Sequence, residues 1–305
     1  MSTARPVVEI HNLRKTYGPV VAVDDVSFSI DAGEVFGIVG LNGAGKTTTV
    51  ECLIGLRKPD GGDIRVLGLD PRSRSRELRA RIGVQLQQAA LPADLKVREA
   101  LELFASFYSR RVDREELLAT WGLAEKQHAR FATLSGGQKQ RLFVALALVN
   151  DPEIVFLDEL TTGLDPQARR GTWEMISALR DRGVTVVLVT HSMEEAQTLC
   201  GRVAIFDRGR LVALDTPQRL IAGLDAETRV GFTAAGVVPA VLAGLPGVAR
   251  VEQRGDEVTV HGRGALLARV ASALAGEGIV PADLRVEQAS LEDVFLALTG
   301  RAMRD

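Results

Sequence analysis

Cysteine is almost missing from this chain: Cys52 and Cys200 are the only two among 305 residues, and they stand far apart. Such a pair supports neither a disulfide framework nor a metal or redox motif, and reads as two small buried hydrophobes in a reducing compartment. A strong excess of charge is lacking too. The net charge of -2 and a pI near 6.2 give no global pull toward nucleic acid or an anionic membrane. Long apolar runs are equally scarce. The most apolar long stretch, Ala234 to Ala249, is broken by Pro239, Pro246 and several glycines, so it cannot serve as a membrane span. The opening residues Met1-Ser2-Thr3-Ala4-Arg5-Pro6 hold no apolar core of the secretory kind, and a cytoplasmic protein is expected. What is present, 46% hydrophobic and 25% charged residues, suffices for a full core in one large domain plus a small one.

Val7-Val8-Glu9-Ile10 and Val26-Ser27-Phe28-Ser29-Ile30 alternate as half-buried strands do, with a turn-like Tyr17-Gly18-Pro19 between them, predicting a small antiparallel sheet. Val35 to Val39 is continuously apolar, the mark of a strand covered on both faces. Helical patterns run from about Val97 to Tyr108, where Leu101, Phe104 and Tyr108 share a face, and from Asp113 to Trp121. From Ile154 apolar strands alternate with amphipathic helices, which argues a parallel sheet with helices on both sides. The large domain is expected over 1–225, with a helical subdomain at about 88–150, and a second domain over 226–305. That second part reads strand, helix (Pro239 to Leu245), two strands, helix, strand, the order of a ferredoxin-like α+β unit, closed by a helix from Ser290 to Leu298.

Four segments carry chemistry. Gly40-Leu41-Asn42-Gly43-Ala44-Gly45-Lys46-Thr47 fits the phosphate-binding loop G-x-x-x-x-G-K-[ST]. Glycines let backbone N–H groups wrap the phosphates, and the following helix presents its positive end. Lys46 would meet the β- and γ-phosphates, and the Thr47 hydroxyl is a ligand for Mg2+. Ile154-Val155-Phe156-Leu157-Asp158-Glu159 sets two carboxylates at the end of a buried strand, where open α/β sheets gather their ligands. Asp158 would hold Mg2+, and Glu159 would act as general base toward water. In Leu134-Ser135-Gly136-Gly137-Gln138, Ser135 can cap the next helix while its glycines leave that helix end open to an anion. His191 ends the apolar run Val186-Val187-Leu188-Val189-Thr190.

Taken together, these segments resemble the ATPase subunit of ATP-binding cassette (ABC) transporters over about the first 225 residues, including Gly163-Leu164-Asp165. The resemblance implies an α/β P-loop NTPase fold: a RecA-like parallel sheet core, an antiparallel β subdomain and a helical subdomain. It implies ATP and Mg2+ as cofactors, bound by the loop from Gly40 to Thr48. Tyr17 takes the place of the residue that stacks on adenine. Gln87 matches the glutamine that touches Mg2+ or the lytic water, with Gln85 and Gln88 as alternatives within the same segment. Asp165 matches the loop that crosses the dimer interface, and His191 the histidine that contacts the γ-phosphate. Ser135, Gly136, Gly137 and Gln138 would complete the site of the opposite subunit, implying a homodimer or a pair with a similar chain. Leu160 stands where the family usually has proline, which bears on the turn after Glu159.

The tail from Ser290 to Arg301 resembles daunorubicin-resistance-type ATPases, which serve a separate ABC-2 permease. The expectation is therefore an ATPase peripheral on the inner membrane face, powering export of a drug-like or other amphipathic compound. The alternative is a soluble ATPase of the same superfamily acting on nucleic acid or ribosomes; it predicts duplicated cassettes, coiled-coil insertions or basic arms, none of which is present. The run Arg72-Ser73-Arg74-Ser75-Arg76 is read as a solvated helix face, since no aromatic residues interleave for base stacking, and no nucleic-acid partner is expected.

Overall fold

The computed structural model describes residues 6–87, 90–224, 228–234, 240–281, 283–287 and 289–301. Strands β1 (Pro6–Tyr17) and β2 (Val20–Asp31) pair antiparallel and bury alternate residues at Val8 and Ile10 and at Val26, Phe28 and Ile30, with irregularities that shift the register around Leu13. β3 (Val35–Val39) is buried along its whole length and delivers the chain through the glycine loop into α1 (Lys46–Leu53). Next come β4 (Gly61–Val66), the five-residue α2 (Ser75–Arg79) and β5 (Ile82–Gln85). Arg72 bonds Asp70, Arg74 pairs with Glu77, and Arg81 meets Glu153 at 2.6 Å. Two arginines of the basic run, Arg72 and Arg74, and Arg81 beyond it are thus spent on neighbouring carboxylates.

The helical region supplies α3 (Val97–Ser106), α4 (Arg114–Thr120) and α5 (Gly136–Ala147). α4 begins where the Asp113 carboxylate accepts the backbone N–H groups of Glu115 and Glu116 at 2.8 and 3.1 Å. α3 stops before the expected Tyr108, because the N–H groups of Phe107 and Tyr108 turn back to carbonyls only three residues earlier and tighten the end.

Strand and helix then alternate: β6 (Ile154–Asp158), α6 (Pro166–Asp181), β7 (Thr185–Thr190), α7 (Met193–Leu199), β8 (Arg202–Asp207), β9 (Arg210–Asp215) and α8 (Pro217–Ala222). The six-stranded sheet has the order β5-β6-β7-β3-β8-β9, parallel from β5 through β8 with β9 antiparallel at its edge. A second sheet, β2-β1-β4, shares one core with it. At that junction the Phe28 ring stacks on Phe36 at 5.3 Å and meets Phe206 edge-on at 6.3 Å. Burying each such ring stabilises the packing by roughly 1.5–3 kcal/mol. Cys52 and Cys200 are both buried, and burial pushes the Cys52 thiol up to about 11, so neither is a reactive thiol.

Register is what assembles a site from these parts. Val39 lies opposite Thr190, Asp158 opposite Val189, and Gln85 opposite Leu157. Because the four strands run parallel, their carboxyl ends reach one edge together. The residues that follow each strand therefore meet there.

The chain divides into two compact units, one running to Pro217 and resuming at Leu298, the other spanning Gln218–Ala297. The expected boundary at 225/226 lies outside the described residues. The second unit holds an antiparallel sheet of β10 (Thr228–Thr233), β11 (Val248–Arg254), β12 (Glu257–Gly262) and β13 (Arg285–Glu287), in the order β11-β12-β10-β13. This is the strand order of a βαββαβ unit. α9 (Leu266–Gly276) covers it through Leu266, Val270 and Leu274, packed on Val230, Phe232, Val258 and Val260. The first helix expected there is instead a single 3-10 turn, Ala240–Leu242. Gly244 and Pro246 leave too few helix-forming residues to continue it, and Pro239 lies outside the described residues. α10 (Leu291–Thr299) opens with Ser290 and Asp293 bonded reciprocally, side chain to backbone, at 2.9 and 3.3 Å.

Candidate nucleotide-binding and hydrolysis site

Backbone space decides the shape of the loop after β3. At Gly40 a Cβ would lie 2.3 Å from the Phe206 carbonyl oxygen, and at Gly45 one would lie 2.4 Å from that of Ala22. Both positions also hold positive φ, +153° and +99°, so only glycine fits. Lys46, 5% exposed, donates its ammonium to the carbonyls of Gly40 and Leu41 at 2.8 and 3.1 Å, which points it along the concave side of the loop. Burial pulls the Lys46 pKa down, while Glu159 and Asp158 oppose that shift. Asn42 and Gly43 are exposed at the loop's rim, Ala44 is buried beneath it, and Thr48 is half-buried in the first turn of α1.

The Thr47 hydroxyl donates to Asp158 Oδ2 at 3.2 Å. Asp158 is 2% exposed, and burial, helped by the neighbouring Glu159, pushes its carboxyl up to about 6 against the pull of Thr47 and Lys46. Its other oxygen, Oδ1, is buried without a hydrogen-bond partner. A hydroxyl and a carboxylate with an unmet buried oxygen form a hard-oxygen donor set that suits Mg2+ completed by phosphate and water. Among the described residues no cluster of three or more His, Cys, Asp or Glu side chains forms an all-protein metal cage.

Glu159 adopts φ +51°, a left-handed conformation that costs a non-glycine residue roughly 1–3 kcal/mol and is common at reacting centres. Its N–H is tied to the Val189 carbonyl at 2.8 Å, and Leu160, in the place of the family's proline, is buried at 1% exposure and anchors the turn in the core. The Glu159 carboxylate accepts the Gln87 amide at 2.6 Å and lies 3.3 Å from His191 Nδ1. The three residues come from the ends of β6, β5 and β7. Gln85 differs: it is buried within β5, and its amide donates to the Leu86 carbonyl at 2.9 Å. Gln88 lies outside the described residues.

Ser135 and its neighbours gather elsewhere. Ser135 Oγ accepts the Gln138 N–H at 3.3 Å while the Gln138 side chain takes the Ser135 N–H at 3.0 Å, a reciprocal cap for α5. Ser135, Gly136, Gly137 and Gln138 share a cavity of about 470 Å³ with Gly163 and Asp165. Asp165 caps α6 by accepting the Ala168 N–H at 2.9 Å, with Pro166 in the first helical position. Among the described residues no hydrogen bond joins this cavity to Lys46 or Glu159. Tyr17, 40% exposed at the end of β1, has Lys15 and Arg57 at 5.5 and 5.6 Å from its ring centre. Thr161 and Trp173, which no sequence motif singles out, both donate to the buried Glu195 carboxylate. The available signal was an acid, Glu195, on the buried face shared by Ala196 and Leu199 of α7.

A family model described as "ABC transporter" matches residues 23–162. "Nod factor export ATP-binding protein I" of Paraburkholderia xenovorans is 42% identical over 318 residues, the match covering 98% of each chain. The chain belongs to the ATP-binding subunits of ABC transporters. As a member of that family it is an ATP-hydrolysing enzyme that uses ATP and Mg2+. The protein of the same name from Mesorhizobium japonicum is 38% identical, with 100% of this subunit and 90% of the relative covered. Among solved structures, an "ATP binding subunit of ABC transporter" aligns with a TM-score of 0.64 at 28% identity, over 71% of this chain and 92% of the other. A dimeric post-hydrolysis state of the ATP-binding cassette MJ0796 bound to ADP and Pi aligns at 0.61 with 29% identity, over 68% and 98%. No helix among the described residues of the subunit is long and apolar enough to cross a membrane.

Proposed function

We propose that this ATP-binding subunit powers export of an amphipathic, drug-like compound through a separate ABC-2 type permease, working on the inner membrane face as a homodimer. The observation that carries this reading is the separation of two surfaces. Lys46, Thr47, Asp158, Glu159, Gln87 and His191 converge at one sheet edge, while Ser135 to Gln138 and Asp165 line another cavity. Two copies facing each other complete each ATP site with the helix cap of the partner, an arrangement consistent with the dimeric cassettes among the solved relatives. Relatives named for Nod factor export support the export direction, and the Ser290 to Arg301 tail supports the daunorubicin-type subgroup.

In this reading Lys46 pairs with the β- and γ-phosphates while the glycine loop supplies backbone donors. Thr47 and Asp158 would hold Mg2+, which would supply charge neutralisation at the phosphate oxygens. Glu159 accepts the proton of the attacking water. Each carboxylate oxygen can accept more than one hydrogen bond, so the contacts with Gln87 and His191 orient the base without disabling it. Tyr17 offers its exposed face to adenine. An apolar cavity of about 430 Å³ lined by Ile54, Leu56, Val84, Leu86, Phe104 and Tyr108 offers the permease a docking place beside the segment that bears Gln87.

The test is Glu159→Gln. Turnover should fall about 10²–10⁴-fold, the usual worth of a general base, and the variant should accumulate as an ATP-bound dimer on size-exclusion chromatography. Wild-type turnover in this variant would remove the assigned base.

A further inference from the structure

Glu195 is wholly buried at 0% exposure, a place where a carboxyl is seldom found without a specific partner. Its Oε1 accepts the Thr161 hydroxyl at 2.9 Å and the Trp173 indole N–H at 3.1 Å. Oε2 is buried with no hydrogen-bond partner. A carboxyl only half satisfied in the interior lowers stability, so stability does not account for its presence.

The partners lie on three segments. Thr161 sits in the turn that leaves Glu159 and reaches Asp165, and Trp173 stands on α6, the helix that Asp165 caps. Glu195 itself is in the first turn of α7, where its N–H donates to Ser192 Oγ at 3.2 Å, directly after His191. One oxygen atom therefore joins the segment of the base, the helix of the interface aspartate and the segment of the phosphate-facing histidine. Thr161 is itself 8% exposed, so water does not readily replace this contact.

We propose that Glu195 is a positioning residue that couples His191 to the Glu159–Asp165 turn, so that a shift of the histidine segment on phosphate contact moves the surface offered to the facing copy. This rests on the roles given above to Glu159, His191 and Asp165. Bistable packed networks transmit such shifts because dense interiors do not deform continuously.

Steady-state ATP hydrolysis by the full-length chain tests it with Glu195→Ala, Glu195→Gln and Thr161→Val. Glu195→Ala should lower kcat about 10–100-fold with KM for ATP changed less than about threefold, since misplacement by an ångström is enough for such a loss. Glu195→Gln keeps the Oε1 acceptor and should recover most of the rate. Thr161→Val, a near-isosteric loss of the donor, should lower kcat and reduce the Hill coefficient for ATP in a protein that still folds, with Tm lowered only by the few degrees that one lost buried hydrogen bond costs. If Glu195→Ala does not fold, Thr161→Val and Trp173→Phe carry the test alone. Wild-type kcat and cooperativity in the folded variants, or equal losses for Gln and Ala, overturn the proposal. Glu159→Gln, run alongside, separates the two failures: if it is inactive while the Glu195 and Thr161 variants behave as wild type, only the coupling role falls.

Discussion

At the scale of single residues, the site is governed by how burial prices charge. Asp158 is held at about 6 against an ordinary 3.8, chiefly because its carboxylate has left water. The folded state thus binds this proton more tightly than the unfolded chain does. Without Mg2+, the stability contributed by this group is full below 3.8 and is lost as pH rises through about 6. In the proposed site metal binding would have the opposite pH dependence, because Mg2+ would compete with the proton for the same oxygens. Calorimetric titration with Mg2+ and ATP should show about tenfold weaker binding near pH 5 than near pH 7.5, and Asp158→Asn should flatten that step. A profile that stays level through this range in the unmutated protein contradicts the assignment.

At the scale of elements, the phosphate loop depends on how closely β3 and α1 approach their neighbours. The Gly45 backbone passes so near the Ala22 carbonyl of β2 that Gly45→Ala must displace the loop or the strand. Positive φ adds to the strain, and a loss of about 2 kcal/mol or more is expected, together with loss of ATP binding. Thermal unfolding and nucleotide binding measured on the same sample check both parts; an unshifted Tm with intact binding means the backbone is not so confined. The elements also show where periodicity informs and where it stops. The alternation in β1 and β2 and the apolar runs of β3, β6 and β7 are local facts, legible because a strand's burial repeats every second residue or fills every position. The stretch from Pro239 to Leu245 carries no such mark, since so few residues before Pro246 meet helical and 3-10 patterns equally well, and Ala240–Leu242 is a 3-10 turn.

At the scale of the whole molecule, a site shared between copies has a signature that no single chain can show. In the proposed arrangement, chains carrying Lys46→Ala mixed with chains carrying Ser135→Ala should form hybrid dimers with one doubly damaged site and one intact site. Equal mixing should restore roughly a quarter of the wild-type rate if the intact site fires independently, because half of the dimers are hybrids. Each parent alone should stay near background. No recovery in mixtures shown to contain hybrids removes the shared-site arrangement.

The sequence by itself determined the local chemistry: glycines where the loop backbone is closely confined, a capping serine, carboxylates closing a buried strand. Those demands act over a few residues and leave their mark in residue order. Only the tertiary structure decided which side chains meet. The parallel register of β5, β6, β7 and β3 brings Gln87 rather than Gln85 to Glu159, and Glu195 finds Thr161 across 34 positions of chain. Such contacts depend on strand order and side-chain direction, which neighbours in sequence do not encode.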